Sequence, residues 1–326
     1  MRLPEYLASA IGELSAGSRS ASVAVASREL TERYKSANFV NPVIRSSAER
    51  AAYLTARFPA TFAANLHVFS ELRRRAPEVE IATLLDLGAG PGTSLFAAAE
   101  VFAELSGATL VEADPEWAST GRRLAEQSPH PVIRSAQWLE RDLRDPADFQ
   151  PHDVVVISYA LGELAPAMLE KVIQRAWRST TKFLTLIEPG TRRGFAGVNA
   201  ARTWLIENGA RILAPCPHRE VCPMAVTGDW CHFSQRLERT AQHRRLKEAE
   251  LGYEDEKFSY LIATRLDLPA TRARIVRHPR KHSGHVQLEL CTSHGTIENI
   301  TATKSKKQAY RAARQAEWGD AWQEPG

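Results

Sequence analysis

At 326 residues the chain exceeds one average domain, and 44% hydrophobic with 25% charged residues is ordinary globular composition, which excludes wholesale disorder. No apolar run approaches the roughly 18 residues of a membrane span. The opening Met1 to Gly17 carries Glu5 and Glu13 and lacks the charged head and apolar block of a targeting segment, so a cytoplasmic protein is expected.

The net charge of +4 conceals an asymmetry, because Leu266 to Arg314 holds ten Lys/Arg against three Asp/Glu, a local +7 that leaves −3 elsewhere. A basic tail on a slightly acidic body points to a polyanion partner, a solvated face being the plainer alternative.

Residues 1–78 read as a helical N-terminal cap: Leu3, Leu7, Ile11 and Leu14 share one face, and Tyr53, Leu54 and Phe58 precede a second stripe of Phe62, Leu66 and Phe69. From Ile81 short apolar runs alternate with helical stretches, the pattern of a parallel sheet. Strands are predicted at Thr83 to Leu87, Thr109 to Glu112, Pro131 to Arg134, Asp153 to Ser158, Phe183 to Ile187, Ala210 to Leu213 and Phe258 to Thr264. Seven strands complete an α/β, class I (Rossmann-like) methyltransferase sheet over 79–265.

The first strand runs into Asp86-Leu87-Gly88-Ala89-Gly90-Pro91-Gly92-Thr93, followed by a helical stretch from Ser94 to Leu105. Glycines permit positive φ and close backbone approach, while a helix N-terminus offers free N–H groups. The spacing of Gly88, Gly90 and Gly92 after Asp86 is the methyltransferase form; a dinucleotide loop wants a later third glycine, where Thr93 stands. S-adenosylmethionine is therefore the expected ligand. Glu112 or Asp114, about 20 residues on, would accept the ribose hydroxyls, with Glu112 preferred. Asp142 would meet the adenine amine. Ser158-Tyr159-Ala160-Leu161-Gly162-Glu163-Leu164 falls where such folds face their substrate, making Ser158 a cofactor contact and Tyr159 and Glu163 weak catalytic candidates; core packing and a helix-start acid are their blander readings. The amine-clamping Asn/Asp-Pro-Pro-Tyr/Phe signature is absent, and Pro215-Cys216 offers a nucleophile only superficially.

An insertion at 214–257 carries Cys216, Cys222 and Cys231 and a charged, helical-looking run from Ser234 to Glu250. The fourth cysteine, Cys291, is separated from the third by 59 residues. Four thiols, three of them among Pro215, Pro217 and Pro223, suggest one tetrathiolate site. Zinc could use Cys216, Cys222 and Cys231 with His218, His232 or Cys291, whereas an iron-sulfur cluster would take all four thiols. On the residues alone the two are tied. Beyond 266, Arg274 to Arg277, His285 to Cys291 and Thr296 to Thr301 predict a small antiparallel β unit, and Lys306 to Trp318 a last helix. Within this 266–326 extension, Arg274, Arg277, Arg280 and Lys281, then Lys304, Lys306, Lys307, Arg311 and Arg314, are expected to face RNA. Trp318 and Trp322 are candidates for base stacking, with anchoring of the last helix the plainer role for Trp318.

Several stretches together resemble the Rsm22 family of methyltransferase-like small-ribosomal-subunit proteins: Arg57-Phe58-Pro59-Ala60-Thr61, the Asp86 to Gly92 loop, Ser158 to Leu164, Glu188-Pro189-Gly190-Thr191, Ala214-Pro215-Cys216-Pro217-His218, Asp229 to Arg236, Lys257 to Tyr260 and Ala316 to Asp320. The Cys-Pro-His and Trp-Cys-His-Phe segments are the most specific. The resemblance implies S-adenosylmethionine at the glycine loop, a 4Fe-4S cluster on Cys216, Cys222, Cys231 and Cys291, and contact with small-subunit rRNA and the ribosomal small subunit, either as an rRNA methyltransferase or as an assembly factor. A zinc-stapled small-molecule methyltransferase is the alternative. Neither membrane nor DNA is an expected partner; the sequence leaves the oligomeric state open, with a monomer as the default.

Overall fold

The computed structural model describes residues 1–15, 22–27, 29, 46–239 and 252–324. Helix α1 (Glu5–Ser15) buries Leu7, Ala10 and Ile11, as the spacing of its apolar residues requires. Helix α2 (Ser47–Ala52) starts at Ser46, whose hydroxyl accepts from the Glu49 N–H at 3.2 Å. It runs through a π-turn (Tyr53–Arg57) into α3 (Phe58–Arg75), which buries Phe58, Phe62, Phe69 and Leu72.

The main sheet has eight strands: β1 (Thr83–Leu87), β2 (Gly107–Glu112), β3 (Gln137–Glu140), β4 (His152–Ser158), β5 (Thr180–Pro189), β6 (Arg211–Ala214), β7 (Phe233–Glu238) and β8 (Tyr253–Thr264). Their order is β3-β2-β1-β4-β5-β8-β6, with β7 paired to β8. Neighbours from β3 to β5 are parallel, and β8 lies antiparallel between β5 and β6. A single reversed strand wedged before the last edge strand is the class I methyltransferase sheet, so the predicted fold class holds. Alternation along the strands builds two cores: Leu84, Val154, Val156 and Phe258 pack with α3 on one face, while Leu85, Leu87, Val155, Ile157 and Leu261 face the other.

Two predicted elements differ. Pro131–Arg134 is a short helix with Pro131 at its start, and the third strand is the following Gln137–Glu140. Residues Ser234 to Glu238, read as helical, belong to β7 and pair with β8 from Phe233↔Phe258 to Glu238↔Tyr253; the rest of that run, 240–250, lies outside the described residues.

The C-terminal sheet is antiparallel, as predicted. Its strands are β9 (Ala273–Ile275), β10 (Arg280–Lys281), β11 (His285–Thr292), β12 (Ile297–Thr303) and β13 (Ala321–Trp322), and the helix Lys307–Gln315 covers it through Ala309 and Ala313. Arg274 differs from expectation: it is 1% exposed and cannot face RNA. Its Nη2 donates to Glu71 Oε1 at 2.8 Å, its Nε to the Pro215 carbonyl at 3.0 Å and its Nη1 to the Gly319 carbonyl at 2.8 Å, tying β9 to α3 and to the loop before Cys216. Trp322 is likewise buried and unavailable for stacking. Trp318 packs edge-on against His232 and His278, an anchor for the chain end. Among the described residues no helix is long and apolar enough to cross a membrane.

Candidate functional site

The loop after β1 is built on glycines that need their conformation. At Gly88 φ is 77°, and a Cβ would stand 2.8 Å from the Ala160 Cβ, so the loop lies hard against the tip of β4. At Gly90, with φ 53°, nothing lies within 4 Å of where a Cβ would be, leaving open space beside the backbone. The Gly90 N–H donates to Glu112 Oε2 at 2.7 Å, and the Asp114 N–H to Glu112 Oε1 at 2.8 Å, which fixes that carboxylate at the end of β2. Beneath the loop Asp86 is fully buried with no hydrogen-bond partner on either oxygen. Burial pushes its carboxyl up to about 8 against a downward pull from Ser94.

An orphaned buried carboxylate, a second one held at the strand end and an uncrowded glycine backbone suit a ligand bringing ammonium and hydroxyl donors, as S-adenosylmethionine does. Its sulfonium methyl is the chemistry such a group would supply. The other acids are engaged locally. Asp114 caps the helix Pro115–Glu126 by accepting from the Glu116 N–H at 2.9 Å. Asp142 accepts from the Arg144 N–H and Nε at 2.7 and 2.9 Å, and that arginine holds its carboxyl below the usual range.

At the tip of β4, Ser158 accepts from Asn65 Nδ2 at 2.9 Å, and Asn65 lies on α3 with no exposed surface. Tyr159 adopts φ 58°, the left-handed region that non-glycine residues avoid. Its hydroxyl donates to Glu256 Oε1 at 2.9 Å, and Glu256 also accepts from Arg57 at 3.2 and 3.3 Å. Both positions are thus tied to the N-terminal helices or to β8. Glu163 lies nearby; neighbouring atoms crowd its carboxyl although the residue as a whole is exposed, and that desolvation, then the Glu112 carboxylate, raise it. Arg57, Asn65, Glu188 and Glu256 are additions that the sequence reading did not single out. Glu188 is 2% exposed, accepts from the Leu161 N–H at 2.8 Å and is pushed up to about 8 by burial. Arg57 and Glu188 lie in two of the segments that carry the family resemblance, but a string does not say which side chain points inward.

All four cysteines line one cavity, with Arg202, His218, Arg274, Asn199 and Tyr260 among its walls. Cys216 follows β6, Cys222 caps the turn Pro223–Val226, Cys231 precedes β7, and Cys291 comes from β11. The Cys231 carbonyl accepts from the Ser259 hydroxyl at 2.8 Å. Burial raises the Cys216 thiol with Arg202 opposing; Cys231 stands well above the ordinary value, from burial and then its cysteine neighbours; Cys291 is pushed up to about 12, again chiefly by burial. Such a set stays ionised only around a cation that compensates it. Among the described residues no three His, Cys, Asp or Glu side chains converge tightly enough for one metal ion. His218 shares the cavity; His232 is instead stacked on Trp230 at 5.1 Å.

The fold is similar to solved methyltransferases: a magnesium protoporphyrin IX methyltransferase from Synechocystis (11% identity, TM-score 0.42, 72% of this chain and 91% of that one) and a precorrin-6y C5,15-methyltransferase from Geobacter metallireducens (18%, TM-score 0.40, 62% and 87%). Among curated relatives, the human mitochondrial ribosome assembly protein METTL17 is 30% identical over 286 residues, 82% of this chain and 61% of that protein. The mitochondrial Rsm22-cox11 tandem protein 2 of Schizosaccharomyces pombe is 27% identical over 322 residues, 82% of this chain. The chain spans only 61% and 42% of these two relatives' lengths. They overturn the cytoplasmic expectation: each is named as mitochondrial, and the composition of residues 1–17 is no guide to compartment in a chain that matches only part of its relatives. Residues 47–323 match the family described as mitochondrial small ribosomal subunit Rsm22, and the chain belongs to that family.

Proposed function

We propose that this chain is a small-ribosomal-subunit assembly factor that binds S-adenosylmethionine at the Gly88–Gly92 loop, holds a 4Fe-4S cluster on Cys216, Cys222, Cys231 and Cys291, and contacts small-subunit rRNA through its basic 266–326 extension. The assembly role follows the name of the human relative. One observation carries the cluster: thiols from the insertion and a thiol from the C-terminal sheet line the same cavity. The cluster is preferred to zinc because the family resemblance implies it and because a cluster takes all four thiols. For the nucleotide, Asp86, Glu112 and the open space beside Gly90 are the supporting set.

The assembly reading is preferred to rRNA methylation because the human relative is named for assembly and because the Tyr159 hydroxyl is committed to Glu256. Transfer of labelled methyl from S-adenosylmethionine to purified pre-subunits, set against Gly88→Arg, separates the two: label above that variant's background would reject the assembly-only reading. An anaerobic preparation that is brown, absorbs near about 400 nm and contains iron supports the cluster. A colourless protein with one zinc rejects it.

A further inference from the structure

The cavity's donors are unevenly committed. Arg274 spends its guanidinium on Pro215, Gly319 and Glu71. Arg202 is 4% exposed; its Nη2 donates to the His218 and Glu220 carbonyls, both at 2.9 Å, while its Nε is buried without a partner. His218 is 6% exposed; its Nε2 lies 3.3 Å from Cys291 Sγ, and its Nδ1 has no hydrogen-bond partner. A sulfur that ligates a cluster is ionised and can only accept, so with Cys291 in that role the contact takes the proton on His218 Nε2. A buried guanidinium N–H with no acceptor is costly unless something within the cavity accepts from it.

We propose that His218 and Arg202 are positioning residues of the thiolate centre, presenting N–H donors to its sulfurs and shifting its reduction equilibrium toward the reduced form. The inference rests on the cluster reading of the site. Its physical basis is charge: a cluster on four thiolates is anionic, reduction by one electron adds a further negative charge, and donors or cations at the sulfurs stabilise that state most. In the titration below dithionite supplies the electron, and no bond to the protein forms or breaks. His218 and Arg202 are also mechanically joined, since the guanidinium holds the carbonyl of the histidine's own residue.

The test is a dithionite titration of the anaerobically purified full chain, followed by electron paramagnetic resonance with iron counted in parallel. His218→Leu, keeping its iron, is expected to weaken reduction about tenfold, or about 59 mV for one electron. His218→Gln, which restores a donor, should recover much of that loss. An unchanged potential in iron-replete His218→Leu overturns the proposal, as does a His218→Gln no better than the leucine variant. If His218→Leu loses its iron, Arg202→Gln bears the same expectation; iron loss from both makes the pair merely structural and also overturns it. A wild-type chain that takes up no iron would instead sink the cluster reading, and the two failures are told apart by the iron count.

Discussion

Single side chains carry the sharpest energetic statements. Asp86 is held at about 8 by burial, against about 3.9 in an unfolded chain. A carboxyl raised on folding contributes stability below the unfolded value, and that contribution drains away as pH climbs toward the folded one. The window is therefore about pH 4 to 8, with an upper bound of about 5 kcal/mol for the roughly four-unit shift. Glu188, raised to about 8 by burial, acts in the same window. Asp86→Asn should then roughly halve the fall in melting temperature between pH 5 and pH 8 and make the ligand-free chain more stable at pH 8, while weakening S-adenosylmethionine binding measured by calorimetry. An unaltered pH profile would mean that Asp86 is ionised and satisfied in solution. Arg274 and Glu71 pose the opposite case, a buried pair 1% and 7% exposed at the side chain. Removing one partner strands the other's charge, so Glu71→Ala should cost about 3–5 kcal/mol in denaturant unfolding. The Arg2–Glu238 pair, 79% and 49% exposed, should be worth nothing measurable by the same method.

At the level of elements, the proposed cluster would make β11 a fastener. Cys291 pairs in register with Arg274 of β9 and Ile297 of β12 while its sulfur reaches the cavity shared with the insertion. Cys291→Ser should therefore raise amide exchange across β9 to β13 and weaken rRNA binding, leaving protection in β1, β4 and β5 intact. Equal rRNA affinity once the cluster is lost would separate the fastening from the binding. Much of this architecture was legible, and the failures are instructive. The valine and leucine runs of β1, β4 and β5 are buried on both faces and announce themselves; β3, with Trp138 and Leu139 only half-buried between exposed Gln137 and Glu140, does not, and the nearby Pro131-Val132-Ile133 drew the strand assignment instead. In β7 the buried Phe233 and Leu237 are four apart, a spacing that satisfies a strand of period 2 and a helix of period 3.6 alike. That the four cysteines would lie near one another followed from their number and setting, and they line one cavity, but Arg202 and Arg274 beside them did not follow, because a charged residue is taken as surface unless its buried partner is known.

For the molecule as a whole, charge is distributed by segment, and the fold decides how much of it water sees. Ten Lys/Arg lie between Leu266 and Arg314, but Arg274 is consumed internally and Arg277 pairs with Asp229. Lys304, Lys307, Arg311 and Arg314 remain exposed along β12's end and the helix Lys307–Gln315, whose Ala309 and Ala313 face inward. Cations on the outward face of a helix anchored by small residues are free to meet phosphates without disturbing the core. Each phosphate contact contributes about 0.7–0.9 to the slope of log affinity against log salt. Replacing these four with Gln should leave the melting temperature and S-adenosylmethionine affinity unchanged, since none touches either core. The same variant should flatten the salt dependence of binding to small-subunit rRNA by roughly 3 units in a filter-binding series from low to physiological salt. A slope that stays at the wild-type value would move the RNA surface off the helix Lys307–Gln315 and leave its outward charge as a solvated face.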